Sequence, residues 1–550
     1  MKSVAIVLAV ALCSTGLLFG QVPDEVVLPD YVESGGKYIS DQIQGDTTAL
    51  GARTNPNRTY VLKRNGTYLS VSSMRNTGWP LALRAQNGPG QKPAVFTWKN
   101  PVTGQFNQPF DMRGNLSLKN VVLLGWSSIP ADQSLMSARV IQVNAAGFNL
   151  VMDSCLIVGT AAAAIQVPTA THLITVTNTT FAQSGNVPYA DVGNGRAFDL
   201  RNVSVDSVIL RNCTFIDGID RVVRHRGSSA ALGLFVFDHN TIFNNASYHG
   251  CLELGTVGQV EITNNLFVDN FVLGRDSTDD VRLAEFNAST EKEPNGKARM
   301  TFISTAPDTA GQPVPSVCVV RKNYYAVTPA VQAWYNTNPR GYLGLGSLIP
   351  LTYNINKKIG ADSVNAFKKD TIAFTKSTSN LIPFATWYWD PAGADKKKVG
   401  TGWSATYDMQ RSSWPYYIDT LNLRYQTTRP AYTGADGGKP AGSLMWWNLP
   451  LTGVGTSQEN EVPQGYSLSQ NYPNPFNPST EIGYQLPATG HVSLVVYDLL
   501  GREVATLVNE IQSAGTYAEK FDARALSSGM YFYRLTSGSF SSARKMMLVR

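Results

Sequence analysis

The chain has 550 residues, with 46 basic and 40 acidic side chains and a formal net charge of +6. That excess is too mild and too dispersed to argue for a nucleic-acid partner. Charged residues make up only 16%, which suits an extracellular β protein better than a cytosolic enzyme, and the length allows two or three domains.

Residues 1–20 read as a secretory signal. Lys2 is followed by an apolar run from Val4 to Leu12 and then by small, neutral residues before Gln21. The run is too short to span a bilayer, and no later stretch looks transmembrane. Cys13 lies inside the apolar run directly after Leu12, which argues against a lipoprotein cleavage site. Residues 21–114 read as an N-terminal cap and first, irregular coils, with strand composition in RTYVLKRNGTYLSV from Arg58 and WPLALRAQNGPGQKPAVFTW from Trp79.

From residue 115 to 333 one phrase keeps returning. Its copies are NLSLKNVVLLG from Asn115, NLVMDSCLIVG from Asn149, LITVTNTTFAQSG from Leu173, VILRNCTFIDG from Val208, LFVFDHNTIFNN from Leu234 and QVEITNNLFVDN from Gln259. A looser copy, VCVVRKNYYAV, starts at Val317. Alignment puts Asn120, Ser154, Asn178, Asn212, Asn240 and Asn264 in one column, with Lys322 breaking it. An apolar column follows three residues on: Leu123, Ile157, Phe181, Phe215, Phe243, Phe267 and Tyr325. No copy of this length can bury its apolar face alone, so the copies must stack as a solenoid of parallel strands. Asn tolerates left-handed backbone and its amide both donates and accepts, so the Asn column predicts a hydrogen-bonded ladder at a sharp bend.

This pattern resembles the right-handed parallel β-helix of pectate-lyase-like proteins, over about half the chain. Cys155 and Cys213 share the column after the Asn, two coils and roughly 10 Å apart, beyond disulfide reach. They read as small buried core residues, and without CxxC or HxxxH spacing zinc is not indicated.

The strand before each repeat supplies a second column: Gln142, Gln166, Asp199, Arg224, Glu253 and Glu285. Apolar neighbours point the other way by the two-residue period, so these six should form an outward strip. Two inserts, AQSGNVPYADVGNGR from Ala182 and VDNFVLGRDSTDDVR from Val268, fall just before it and can wall a groove. Two chemistries suit such a groove. In a uronate lyase, Arg224, flanked by His225 and Arg226, would supply the positive charge that neutralises the sugar carboxylate. For either chemistry the catalytic candidates are Arg224, Glu253 and Glu285, and the substrate-binding candidates Asp199, Gln166, His225 and Arg226. Asp199, Glu253 and Glu285 offer oxygen ligands for a calcium ion. In a glycoside hydrolase, Glu253 and Glu285 on adjacent rungs would serve as an acid and base pair. The plainer reading is a salt-bridge ladder between coils. RVVRHRG resembles the Arg-His segments of alginate and chondroitin lyases with this fold, but the surrounding motif and a lysine base do not match. No catalytic role is carried over. Asp276, Asp279 and Asp280 read as a solvated insert or a calcium loop, and His239 and His249 as surface or turn residues.

Residues 334–450 read as closing coils and an aromatic-rich cap, with Trp387, Tyr388, Trp389, Trp403, Trp414, Tyr416, Tyr417, Trp446 and Trp447. Buried, these rings would seal the last coil; exposed, they would stack on sugars. NLRYQTTRPAYTGADGGKPAGSLMWW resembles the closing segment of secreted β-helix proteins from Bacteroidota-like bacteria, a likeness that implies no activity.

After a linker at 451–464, residues 465–550 carry short alternating strands punctuated by Pro and Gly, the pattern of a small Ig-like β-sandwich. Ile482, Tyr484, Leu486, Leu494, Val496, Val504, Leu507, Tyr531 and Tyr533 are its inward candidates. NYPNPFNPST at Asn471, VYDLLGREV at Val496, GTYAEKFDA at Gly515, LSSGMYFYRL at Leu526 and KMMLVR at Lys545 closely resemble the type A C-terminal sorting domain of the type IX secretion system. That resemblance implies passage through the periplasm and outer membrane, with the secretion machinery as partner. The expectation is an all-β chain, a parallel β-helix followed by a β-sandwich, secreted or at the cell surface. It either binds polysaccharide, with or without depolymerising it, or serves as a non-catalytic adhesion or structural solenoid.

Overall fold

The computed structural model describes residues 25–47, 53–126, 137–185, 194–225, 231–247, 250–270, 303–304, 316–337, 358–378, 381–389 and 419–451. In a second unit it describes most of 466–549. The expected leader (1–20), Glu285, Arg226, Asp276, Asp279, Asp280 and His249 lie outside the described residues.

The first unit, Pro23–Leu451, winds as a parallel β-helix. Each coil contributes one strand to each of three sheets, as Asn149–Asp153, Leu156–Thr160 and Ala163–Gln166 do in one coil. The first sheet holds ten strands from Glu25–Leu28 to Val317–Arg321. The second holds ten from Thr67–Ser70 to Phe367–Lys369, and the third eight from Met74–Arg75 to Ile303–Ser304. Residues 25–114 already pair in register with these sheets.

First-sheet strands alternate between buried and half-exposed residues, as a sheet with one covered face must. Second-sheet strands such as Leu156–Thr160 and Thr180–Ser184 are buried throughout, because both of their faces are covered. Inside the coil, Phe181, Phe198, Phe215, Phe235, Phe237 and Phe267 join the aliphatic core. Outside it, Leu124, Trp126, Val158, Ile216 and Val268 pack against Leu423, Tyr425, Ala431, Ala441, Trp446 and Trp447. Residues 421–447 therefore lie along the side of the helix. Its last coil is closed by Ile359, Ala366 and Phe367, and its first by Ile39 and Ile43 of the helix Ile39–Gln44.

The left-handed bend is present, and one rung differs from the alignment. Asn120, Ser154, Asn178, Asn212, His239, Asn264 and Lys322 share it, with φ between 49° and 62°. His239 occupies the place expected for Asn240, because Asp238 pairs with Arg211 and so shifts that copy by one. The apolar column shifts with it: Ile242, and not Phe243, pairs with Phe215 and Phe267. Phe243 points outward against Phe374.

Displacement of Asn240 uncovers the real ladder, one residue after the bend. Cys155, Thr179, Cys213, Asn240, Asn265 and Asn323 stack there, facing inward. Asn240 Nδ2 donates to Leu210 O at 3.0 Å, Asn265 Nδ2 to Phe237 O at 2.7 Å and Asn323 Nδ2 to Ile262 O at 2.8 Å. Each acceptor is the equivalent carbonyl one coil earlier. Cys155 Sγ and Cys213 Sγ reach the same carbonyls, Leu118 O and Val176 O, at 3.4 and 3.5 Å. The thiols are weak-donor rungs of one ladder.

The second unit is a β-sandwich of two antiparallel sheets. One holds Ser467–Leu468, Ser479–Leu486 and Gly515–Asp522; the other holds Glu503–Gln512, Gly490–Tyr497, Gly529–Ser537 and Phe540–Leu548. Ile482, Tyr484, Leu486, Leu494, Val496, Tyr531 and Tyr533 are buried between them, and Val504 and Leu507 are partly buried.

Candidate functional site

The outward strip of the third sheet forms in the expected register and extends beyond it. Arg75, Asp111, Gln142, Gln166, Asp199, Arg224 and Glu253 stand on successive rungs. The next rung is Ser304, which pairs with Glu253 where Glu285 was expected. Glu253 and Glu285 are therefore not neighbours in this sheet, because the insert that follows Val268 is longer than the spacing assumed; Glu285 itself lies outside the described residues.

The middle of the strip is covered, with Asp199 1% and Arg224 7% exposed, whereas the Arg75 side chain at its early end is 57% exposed. Arg224 grips Asp199 through Nε at 2.9 Å and Nη2 at 2.7 and 2.9 Å. Arg201 Nε stands 3.1 Å from the same carboxylate, and Gln166 Nε2 donates to it at 3.3 Å. Burial alone would raise the Asp199 carboxyl, but Arg224, Arg196 and Arg201 overcome it and hold it below the usual range. Arg221 Nε lies 2.6 Å from Glu253, and Arg196 Nε 2.9 Å from Asp220. A void of ≈ 10 Å³ beside Asp220 and Arg221 holds no more than a water.

These contacts decide several roles. Both oxygens of Asp199 already accept from guanidinium and Glu253 is paired with Arg221, so these two described members of the expected calcium set are engaged elsewhere. Among the described residues no cluster of three or more His, Cys, Asp or Glu is arranged for a metal. His225 is an interior residue, because alternation turns it inward where Arg224 turns outward. Its Nε2 faces Val203 O at 2.9 Å and its Nδ1 faces Leu254 O at 3.2 Å. Burial pushes its pKa down despite those carbonyls.

The strip carries a charge imbalance. Arg139, Arg196, Arg201, Arg221 and Arg224 surround Asp199, Asp220 and Glu253, five cations to three carboxylates among the described residues. Arg139 is the unusual member. Its guanidinium donates to Gln142 Oε1 at 2.9 Å and Gln166 Oε1 at 2.7 Å, both neutral. Arg201 is half-exposed beside it.

A separate cleft of ≈ 620 Å³ opens on the outer face of the second sheet. Arg64, Asn65, Gln91 and Lys92 line one side, Asn178 and Thr180 its floor, and Asp419, Leu421, Met445 and Trp446 the other side. Lys92 Nζ donates to Ser154 O at 2.5 Å, and Trp446 Nε1 donates to Thr214 Oγ1 at 3.0 Å. None of the cleft's cations or carboxylates stood out in the sequence. Its walls come from early coils and from a segment more than 300 residues later, so no local motif could reveal it. Arg139 was equally hidden, since it precedes the strand whose alternation defined the strip.

Residues 470–549 match the family described as the Secretion system C-terminal sorting domain. No curated protein and no solved structure matches the chain. The sorting domain marks the protein for export by the type IX machinery, secreted or at the cell surface. No helix among the described residues is long and apolar enough to cross a membrane.

Proposed function

We propose that the β-helix, exported by the type IX route after a leader at residues 1–20, binds acidic polysaccharide along its third sheet without cleaving it. The observation that carries this reading is the guanidinium excess around Asp199, above all Arg139, whose described partners are neutral amides. A half-buried cation whose described hydrogen-bond partners are neutral, and which shares the nearby Asp199 with other guanidiniums, favours an incoming carboxylate or sulfate, and a planar guanidinium can bind one through two parallel hydrogen bonds. Cleavage is disfavoured because the strip's carboxylates are held in ion pairs. A general acid needs a raised pKa, and Asp199 is shifted the other way.

The test is a panel of uronate-rich and neutral glycans offered to the mature protein. Binding, new reducing ends and absorbance from unsaturated products are followed together. The expected result is retention of uronate chains, weakened by salt and by Arg139→Ala, with no cleavage. Release of reducing ends or unsaturated products, or no binding of any uronate chain, would overturn the reading.

A further inference from the structure

The second-sheet cleft is separate from the third-sheet strip and differs from it in charge. Around Lys92 stand Arg64, Asp153 and Asp419, two cations and two carboxylates in all, with the Cys155 thiol beneath. These named charges balance, so they do not favour an ion of either sign. The polar groups are nevertheless numerous and mixed: donors on Arg64, Lys92 and Gln91, an acceptor on Asp419, and amides on Asn65 and Asn178. An apolar ligand would strand them at a cost of about 1–3 kcal/mol each. A sugar hydroxyl donates and accepts at once, so it can bridge a cation and a carboxylate without carrying charge. Leu421, Met445 and Trp446 supply the apolar wall that the C–H face of a sugar ring requires. Trp446 is held in place by the Thr214 hydroxyl at its ring nitrogen and by Arg424 Nε at its carbonyl. The volume lies within the usual range for ligand sites, about 300–1,000 Å³.

We propose that this cleft is a second saccharide site, taking an uncharged, hydroxyl-rich unit between Lys92 and Gln91 on one side and Asp419 and Trp446 on the other. Burial pushes the Lys92 ammonium down and the Asp419 carboxyl up. The coil stack joins the two sites: early coils and the C-terminal segment meet at the cleft, and the middle coils carry the strip.

Titration calorimetry on the mature full chain tests this with two probes, a neutral hexaglucoside and a hexauronate. The hexaglucoside is expected to bind with an affinity that raised salt leaves unchanged. Asp419→Ala and Gln91→Ala, both at exposed side chains, should each weaken it about tenfold, the scale of one lost hydrogen bond. Arg139→Ala should leave it intact. Hexaglucoside binding that ignores both cleft substitutions, or no hexaglucoside binding at all, would overturn the proposal. Should hexauronate still bind and depend on Arg139, the strip reading stands and only the cleft proposal falls.

Discussion

Asn265→Ala tests whether the stack is held by the inner ladder or by the bend. Asn265 is fully buried and joins three coils. Its Nδ2 donates to Phe237 O at 2.7 Å and to Asn323 Oδ1 at 2.8 Å, and its Oδ1 accepts from Asn240 N at 2.7 Å and Asn240 Nδ2 at 3.2 Å. Alanine leaves the Asn240 main-chain N–H and the Phe237 carbonyl without these partners. Asn323 Oδ1 keeps the Asn265 N–H at 3.1 Å, and Asn240 Nδ2 keeps Leu210 O. The orphaned Asn240 N–H at about 1–3 kcal/mol, together with the side-chain bond lost by the Phe237 carbonyl and the void, gives an expected loss of about 3–5 kcal/mol. Asn178→Ala at the bend removes one side-chain bond to Asn212, 2.6 Å long, and one to Asp153, both part-buried. With the left-handed penalty for alanine, it should cost about 1–2 kcal/mol. All ten tryptophans precede residue 451, so fluorescence during a urea titration of the full chain reports the β-helix alone. Asn265→Thr should recover part of the loss, because a hydroxyl already serves at Thr179, whose Oγ1 accepts from Cys155 N at 3.2 Å. Equal losses for Asn265→Ala and Asn178→Ala would refute the assignment of the inner column as the principal ladder.

Cys213→Asn should be neutral or slightly stabilising, since its amide would reach Val176 O as Asn240 reaches Leu210 O; a large loss in the same titration would show that the rung cannot hold an amide. Arg224→Met should cost about 3 kcal/mol by stripping the buried Asp199 of its bidentate partner, and the double variant with Asp199→Asn should cost less than the two singles combined. His225 gives a pH signature. Burial holds its pKa below the ordinary 6.5, so between the two values the unfolded chain binds more protons and stability falls as pH drops from 6.5. A stability profile against pH should lose that slope in His225→Gln; an unchanged slope would assign it to other groups.

Most of the fold could be read from the chain because stacking repeats the same demand at every coil. The bend recurs, the inward column recurs, and the third-sheet polar column recurs in the expected register from Gln142 to Glu253. Register failed where chemistry and geometry diverged. His239 occupies a left-handed position that histidine tolerates, so matching Asn with Asn displaced that copy by one residue. Glu285 failed for another reason: an alternating apolar pattern indicates which face a residue takes but cannot count the residues of an intervening insert. Burial of the strip was also hidden, because Arg139, Arg196, Arg201 and Arg221 lie outside the outward column that alternation defined.

The order of signs along the strip carries its own argument about function. Parallel rungs stand about 4.8 Å apart, so each side chain has the rungs above and below as its nearest partners. Asp199, Arg224 and Glu253 run negative, positive, negative. Such an order pairs every charge with its opposite and draws carboxyl pKa values down, as at Asp199. A pair of carboxylates working as acid and base requires the reverse, two like charges close enough to force one pKa up. With Ser304 in the place of Glu285, no two of the strip's carboxylates are adjacent from Asp111 to Glu253. Alternation binds the coils together, and under the proposed reading Arg139, set beside two neutral glutamines, is where a ligand's negative charge would complete the series.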